Sequence, residues 1–218
     1  MKFIKFSCFV TFLLFVMTAG MTKADVNVGI SADEDGLKSF YLSVGEHYRV
    51  PEKQVFVVKE RKIPDDELPV VFFIAKHASV EPGLIVDLRL GGKSWIDITA
   101  HFGLSPAIYY VAFERDPGPP YGKAWGHYKK HKKSEWKTIR FADADVVNFV
   151  NIKFMSERYG YTPEQVIKMR EKGQSFVKVN GKLRKDKEAK QKQSKQHADA
   201  DKAGKDKPSK DKSKGKKR

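Results

Sequence analysis

The stretch EPGLIVDLRLGGKSW, residues 81–95, decides the fold, because a similar stretch recurs at residues 162–176 as TPEQVIKMREKGQSF. When the two are laid together without gaps, proline meets proline, arginine meets arginine, glycine meets glycine and serine meets serine. Apolar residues also meet apolar residues, and Trp95 meets Phe176. Self-similarity of this kind indicates a repeated structural unit.

The spacing within this unit describes a short helix with a defined beginning and end. Pro82 suits the first turn, where its missing N–H costs nothing. Arg89 falls in the last turn, where a cation suits the helix dipole, and Gly92 supplies the left-handed conformation that ends a helix. A third and weaker copy covers residues 46–61. One unit cannot bury its apolar stripe alone, so neighbouring units must stack; the alternative is that short helices of this composition simply resemble one another.

The rest of the body also predicts helices. Apolar residues recur at spacings of three and four over residues 37–48 and again over 143–158. The acidic residues 65–67 favour a helix, rather than a buried strand, for the apolar run that follows them. We therefore predict an all-α domain at 35–180, built from about seven or eight short helices. A loose lead-in at 25–34 precedes it.

The N-terminal residues have the order of a secretory signal peptide. Basic residues open the chain, an apolar run follows at 9–17, and small residues lead to Ala24. The apolar run is shorter than the about 20 residues that a membrane-spanning helix needs. We predict a signal peptide at 1–24, cleaved after Ala24 or alternatively after Gly20, and an exported protein, periplasmic or extracellular. The alternative is an uncleaved N-terminal anchor.

The cysteine content is compatible with an exported protein but does not by itself indicate export. The only cysteine, Cys8, lies inside the predicted signal peptide. The mature chain would therefore have no disulfide, no thiol nucleophile and no thiolate ligand for a metal.

The formal net charge of +15 is unevenly distributed over the 218 residues. Residues 183–218 carry 15 Lys or Arg and 6 Asp or Glu, so this tail contributes +9. The signal peptide contributes +3, and the body between them is also only +3. From residue 185 the tail has no aromatic and no large aliphatic side chain, so we predict that 183–218 is disordered. The alternative for 183–196 is a transient extension of the last helix.

Residues 94–110, SWIDITAHFGLSPAIYY, have the turn pattern of a helix-turn-helix. Ser94 suits the cap of one helix, Gly103 its end, and Ser105 the cap of the next. The second helix offers no Lys, Arg, Asn or Gln before Arg115, although base readout in the major groove needs such groups. We therefore interpret the stretch as two packed helices and not as a DNA reader.

Segment 116–137 is a candidate binding surface, which we predict to be a long loop rich in basic and aromatic residues. Cations interleaved with aromatic rings can grip phosphates and stack on bases, sugars or lipid headgroups. The predicted binding residues are Lys123, Trp125, His127, Tyr128, Lys129, Lys130, His131, Lys132 and Lys133. His127 and His131 stand four residues apart, but without a third ligand they predict no metal site. The alternative is a solvated connection whose aromatic rings pack onto the helices.

No arrangement of acids, bases and nucleophiles in the sequence predicts catalysis, and none predicts a cofactor. We expect a non-enzymatic scaffold or interaction protein. Its basic tail would associate with an anionic envelope polymer or a membrane surface through electrostatic contacts. One alternative is a nucleic-acid-binding protein without sequence specificity, which would act through the same tail. The other is an envelope enzyme with an unrecognised pocket.

Overall fold

A computed structural model of the chain describes residues 27–205, and within that range it is helical, without a strand. The all-α prediction is confirmed, with nine α-helices in the described range where seven or eight were expected. They are α1 (Asn27–Tyr48), α2 (Glu52–Glu60), α3 (Leu68–Ala78), α4 (Pro82–Leu90), α5 (Trp95–His101), α6 (Tyr121–Lys130), α7 (Asp143–Tyr159), α8 (Pro163–Arg170) and α9 (Phe176–Lys205). Short 3-10 turns lie at Asp65–Glu67, Pro106–Tyr109, Lys133–Thr138 and Glu171–Gly173.

The three short helices α2, α4 and α8 are entered in the same way. Each follows a longer helix that ends in a left-handed residue: Arg49, Ser79 and Gly160 have φ angles of 59°, 56° and 73°. Two residues later, the residue that caps the short helix has extended backbone in each case. The left-handed residue turns the chain, so each short helix packs beside the helix that precedes it.

The three short helices also end in the same way, with a residue in the left-handed conformation. Lys62, Gly92 and Gly173 have φ angles of 61°, 87° and 72°. In the α4 and α8 copies a serine follows two residues later, and its side chain accepts a backbone N–H at the start of the next helix. The three stretches that resemble one another in sequence therefore share their backbone turns.

The two stronger copies share a side-chain contact as well. The Arg89 guanidinium lies over the Trp95 ring, 4.7 Å from its centroid, and the Arg170 guanidinium lies over the Phe176 ring at 3.8 Å. Both rings are fully buried. An arginine over an aromatic face gains a cation–π interaction, so this contact holds the end of each short helix on the start of the next element.

Helices α3 and α7 form the centre of the core. Residues 68–75 of α3 are all buried, and α3 packs along α7. Helices α1 and α9 pack against one another and against α7, and α1 also covers α3. A helix that is apolar on nearly every side needs neighbours all round, and this arrangement supplies them.

Two boundaries differ from the expectation. The lead-in predicted to be loose at 25–34 is helical from Asn27, because α1 continues outward from the buried anchors Phe40 and Val44, and extending a formed helix costs little. The tail predicted to be disordered from 183 is helical to Lys205. Leu183 is fully buried and holds the helix on the body, and the Lys, Ala, Gln and Glu that follow favour helix. The predicted signal peptide and residues 206–218 lie outside the described residues.

Segment 116–137 is not a loop, which corrects the prediction. Most of it forms α6 and the 3-10 turn that follows. Tyr121, Trp125 and Tyr128 stand four and three residues apart and are all buried, so they make the apolar stripe of a helix.

The helix-turn-helix pattern is only half realised. Helix α5 forms with the Ser94 cap, whose oxygen accepts the Asp97 N–H at 3.2 Å. The second helix is a single 3-10 turn, Pro106–Tyr109, so the interpretation as two packed helices is wrong in its second arm. The Tyr128 hydroxyl donates to the Pro106 carbonyl at 2.7 Å, and the Trp125 indole N–H donates to the Val111 carbonyl. Side chains thus occupy carbonyls that a continuing helix would use.

Candidate functional site: cationic surfaces of α6 and α9

Helix α6 divides the predicted binding residues into an inner and an outer set. Trp125 and Tyr128 are each 3% exposed, and their polar atoms bond to backbone carbonyls. His127 is half-buried, with its ring centroid 6.2 Å from that of Phe141. The expectation that these aromatic rings face a ligand is therefore incorrect, because their faces pack into the protein.

The basic side chains of the same segment point outward. The exposed members are Lys123, Lys129, Lys130, His131, Lys132 and Lys133. The Lys129 amine lies 4.4 Å from the Trp125 ring centroid, and His131 lies 3.6 Å from the Glu135 carboxylate. Apart from Lys123, which lies near the start of α6, these residues form a cationic cluster at the end of α6 that can attract anions.

Helix α9 is the larger cationic element. It has 30 residues, which corresponds to about 45 Å at the rise of an α-helix. Phe176, Val179 and Leu183 are fully buried and hold its first two turns. Every residue from 184 to 196 is exposed. Beyond Leu183 the helix is therefore largely solvated, and the contacts of its side chains with the body reach as far as Lys190.

The exposed stretch 184–196 carries six cations and two acids. The cations are Arg184, Lys185, Lys187, Lys190, Lys192 and Lys195, and the acids are Asp186 and Glu188. Arg184 donates to Glu188 at 2.8 Å and to the Ser39 hydroxyl at 2.6 Å. The hydrogen bond and charge of Arg184 lower the pKa of Glu188. One of the two acids is therefore already engaged within the helix.

Other contacts hold the base of this helix on the end of α7 and on the turn that follows it. The amines of Lys187 and Lys190 lie 5.7 Å and 4.9 Å from the ring centroids of Tyr159 and Tyr161. Within the described residues, no hydrogen bond or ion pair engages the amines of Lys185, Lys192 and Lys195. These three amines are free to meet an external anion.

A buried polar link fixes the orientation of α9. The Tyr159 hydroxyl donates to the Asn180 side-chain oxygen at 2.8 Å and lies 3.1 Å from the Ser43 hydroxyl. Asn180 is fully buried and Ser43 is 3% exposed. A satisfied buried network of this kind joins α1, α7 and α9 in one register.

A groove of about 600 Å³ runs between α1 and α9. Gly36 and Gly181 line it, and a side chain at either position would meet nothing within 4 Å. Lys178, Lys182 and Lys185 stand along its α9 wall at helical spacings of four and three. The cationic surface of α9 thus continues into a cleft beside the body.

Comparison of the chain with protein-family models, with curated proteins and with solved structures finds no match. Across residues 27–205, no helix combines the length and the apolar character that crossing a membrane requires. The same range holds no group of three or more His, Cys, Asp or Glu that could hold a metal ion.

Sequence reasoning predicted disorder from residue 183, with a transient helix over 183–196 as the alternative, and so missed the ordered length of α9. The signal was the spacing of Phe176, Val179 and Leu183, which places three apolar residues on one helical face just before the basic run. The partners of Asn180 lie on two distant helices, so no local pattern could have revealed them.

Proposed function

We propose that this protein is an exported, non-enzymatic helical scaffold that attaches to an anionic envelope surface through α9. The observation that carries the proposal is the exposed stretch 184–196, a helical segment that carries six cations and two acids. Each Lys or Arg close to an anionic lipid surface contributes about 1 kcal/mol. A helix held on the body presents its charges with less loss of conformational entropy than a disordered tail.

The contact would be electrostatic and would lie at the surface. Beyond Leu183 the described part of α9 has no large apolar side chain, whereas helices that embed in the headgroup layer need an apolar face. An interaction made only of exposed charges weakens as salt is added. The cationic cluster at the end of α6 is the second element that could touch the same surface.

Export is the part of the proposal that rests on the sequence of residues 1–24. N-terminal sequencing of the protein recovered from cells is the direct test. A mature chain that begins at Asp25, or at Met21 after the alternative cleavage, supports export. An intact Met1 on cytosolic protein contradicts it and favours a nucleic-acid partner, since the same amines neutralise phosphates.

Vesicle binding tests the surface itself. The mature chain is mixed with vesicles of phosphatidylglycerol and with vesicles of phosphatidylcholine at low and at high ionic strength, and the bound fraction is measured by sedimentation. We expect binding to the anionic vesicles only, with loss at high salt. Absent binding, or binding that salt does not weaken, would contradict the proposal.

A further inference from the structure

The groove of about 600 Å³ between α1 and α9 has a mainly apolar floor that is open to solvent. Gly36 of α1 and Gly181 of α9 contribute no side chain to it, and a carbon added at either position would have no neighbour within 4 Å. Val177 also lines the groove and is half-buried, so part of its surface faces the open space. The described parts of the two helices thus leave an unfilled channel between them.

The apolar surface continues beyond the groove. Val177 and Lys178 also line a hollow of about 430 Å³, together with Leu37 and Pro64. Leu37 is half-buried and Pro64 is exposed, so both offer apolar surface to the hollow. Because the groove and the hollow share two lining residues, they form one path along the start of α9.

One wall of the groove is cationic along its length. Lys178, Lys182 and Lys185 are exposed and follow one another at helical spacings of four and three, which places neighbouring members about 5–6 Å apart at Cβ. The Lys182 amine donates to the Gln174 side-chain oxygen at 2.6 Å. The amines of Lys178 and Lys185 make no hydrogen bond or ion pair within the described residues. An anion anywhere along this wall therefore lies within reach of at least one amine.

The acids around this path favour an anionic group in the groove over one in the hollow. Among the residues that line the groove, four cations stand against two acids, Asp35 and Glu188. Glu188 already accepts a hydrogen bond from Arg184 at 2.8 Å. The hollow is lined by Asp65 and Asp66 and by a single lysine. Since like charges repel, a carboxylate is favoured beside the lysines of the groove, and an uncharged chain suits the hollow.

We propose that the groove binds a fatty acid, with the carboxylate against the lysine wall and the alkyl chain over Gly36 and Gly181 toward the hollow. Charge complementarity selects the anionic head, and the unfilled channel accommodates a linear chain. The groove volume of about 600 Å³ lies within the range of about 300–1,000 Å³ that is usual for ligand pockets. The proposal does not rest on attachment of α9 to an anionic surface, because the ligand lies in the groove and not on the exposed stretch 184–196.

The first test measures binding of three probes to the mature chain by calorimetry: decanoate, hexanoate and decyltrimethylammonium, each below the concentration at which it forms micelles. We expect decanoate to bind at one site per chain and the cation not to bind. Hexanoate should bind at least tenfold more weakly than decanoate, because each methylene removed from water adds to affinity. Equal binding of decanoate and the cation, equal binding of decanoate and hexanoate, or no binding of decanoate would each overturn the proposal.

Filling the groove locates the site. Gly36→Leu and Gly181→Leu place a side chain in the space that the alkyl chain would occupy, and leucine favours helix over glycine, so both variants should fold. We expect each to weaken decanoate binding at least tenfold. Gly83→Leu on α4, where an added carbon also meets nothing within 4 Å, is the matched control and should bind decanoate as the parent does. Unchanged affinity in both groove variants, or an equal loss in the control, would overturn the assignment.

The same variants separate this site from surface attachment. None of them changes the net charge, so we expect Gly36→Leu to bind phosphatidylglycerol vesicles as the parent does. A parent chain that binds decanoate but not the vesicles supports the groove and contradicts only the surface attachment. Equal losses of decanoate binding and vesicle binding in Gly36→Leu would overturn a separate site in the groove.

Discussion

His47 shows how one buried ring couples stability to pH. Its pKa is lowered from 6.5 to about 4, first by burial and then by Lys76 and Arg158. Above pH 6.5 the ring is neutral in both the folded and the unfolded chain. As pH falls from 6.5 to about 4, the unfolded chain binds a proton that the folded chain does not, so the free energy of unfolding decreases.

We expect His47→Gln to remove part of this decrease. One pKa unit corresponds to about 1.4 kcal/mol, and partial solvent screening reduces the effect to roughly 2 kcal/mol between about pH 7 and about pH 4.5. Urea unfolding of both proteins at the two pH values measures it. His101→Gln, at an exposed position, is the control and should retain the parental pH dependence. An identical pH dependence in the His47 variant would contradict the assignment.

Lys62 carries a backbone strain that its counterparts avoid. Its φ angle is 61°, whereas the equivalent positions are Gly92 and Gly173. A side chain in the left-handed region costs about 1 kcal/mol, so Lys62→Gly should raise the free energy of unfolding by about 0.5–1 kcal/mol. Gly173→Ala should lower it by a similar amount. Chemical denaturation measures both. A lower free energy of unfolding in Lys62→Gly would contradict a strained left-handed conformation at this position.

Arg89 connects three parts of the fold, so its loss should lower the free energy of unfolding of the whole protein. Its guanidinium donates to Glu67 at 2.9 Å and 2.7 Å and also binds Asp143, which in turn accepts the Trp95 N–H at 2.7 Å. Removing one partner from a largely buried ion pair costs about 3–5 kcal/mol. We therefore expect Arg89→Met to destabilise the protein by about 3 kcal/mol in thermal or chemical unfolding.

Arg170 is the matched comparison for Arg89. It occupies the equivalent position in α8, but its Nε and Nη1 atoms make no hydrogen bond. Arg170→Met should therefore cost clearly less than Arg89→Met. An equal or larger cost at Arg170 would mean that the carboxylates beside Arg89 contribute little, and that the cation–π contact common to both dominates.

At the scale of elements, the sequence predicted those helices whose ends are determined by the residue types next to them in the chain. The exit of α4 at Gly92 and the cap at Ser94 follow from residue types at short spacing. Helix α6 was missed because Gly122 and Gly126 lie within it and disfavour helix. Its stability comes from burial of Trp125 and its neighbours in the core, which is a tertiary effect.

For the candidate site, the sequence predicted which residues carry the charge but not how the fold arranges them. That the chain carries a basic tail follows from composition alone, whereas its ordered start depends on Leu183, Asn180 and their partners on other helices. In the same way, His47 of α1 and Glu157 of α7 lie 3.6 Å apart although they are far apart in the sequence. The spacing of residues along the sequence does not predict contacts of this kind.

At the scale of the whole molecule, most of the net charge lies C-terminal to the helical body, with +4 in residues 183–205 and +5 in residues 206–218. The body between the tail and the N-terminal segment has a formal charge of only +3. Attraction to an anionic surface would therefore orient the molecule with its C-terminal part, which includes α9, toward that surface. The body would remain available for other contacts.

The most direct test of surface attachment through α9 compares two triple variants on phosphatidylglycerol vesicles. One replaces Lys185, Lys192 and Lys195 of α9 by glutamine, and the other replaces Lys129, Lys130 and Lys133 of the α6 cluster. Both lose three exposed charges, so their net charges are equal. At about 1 kcal/mol per lysine, we expect the α9 variant to lose at least tenfold in affinity and the α6 variant to lose clearly less. Equal losses in the two variants, or a larger loss in the α6 variant, would contradict a role for α9 as the attachment element.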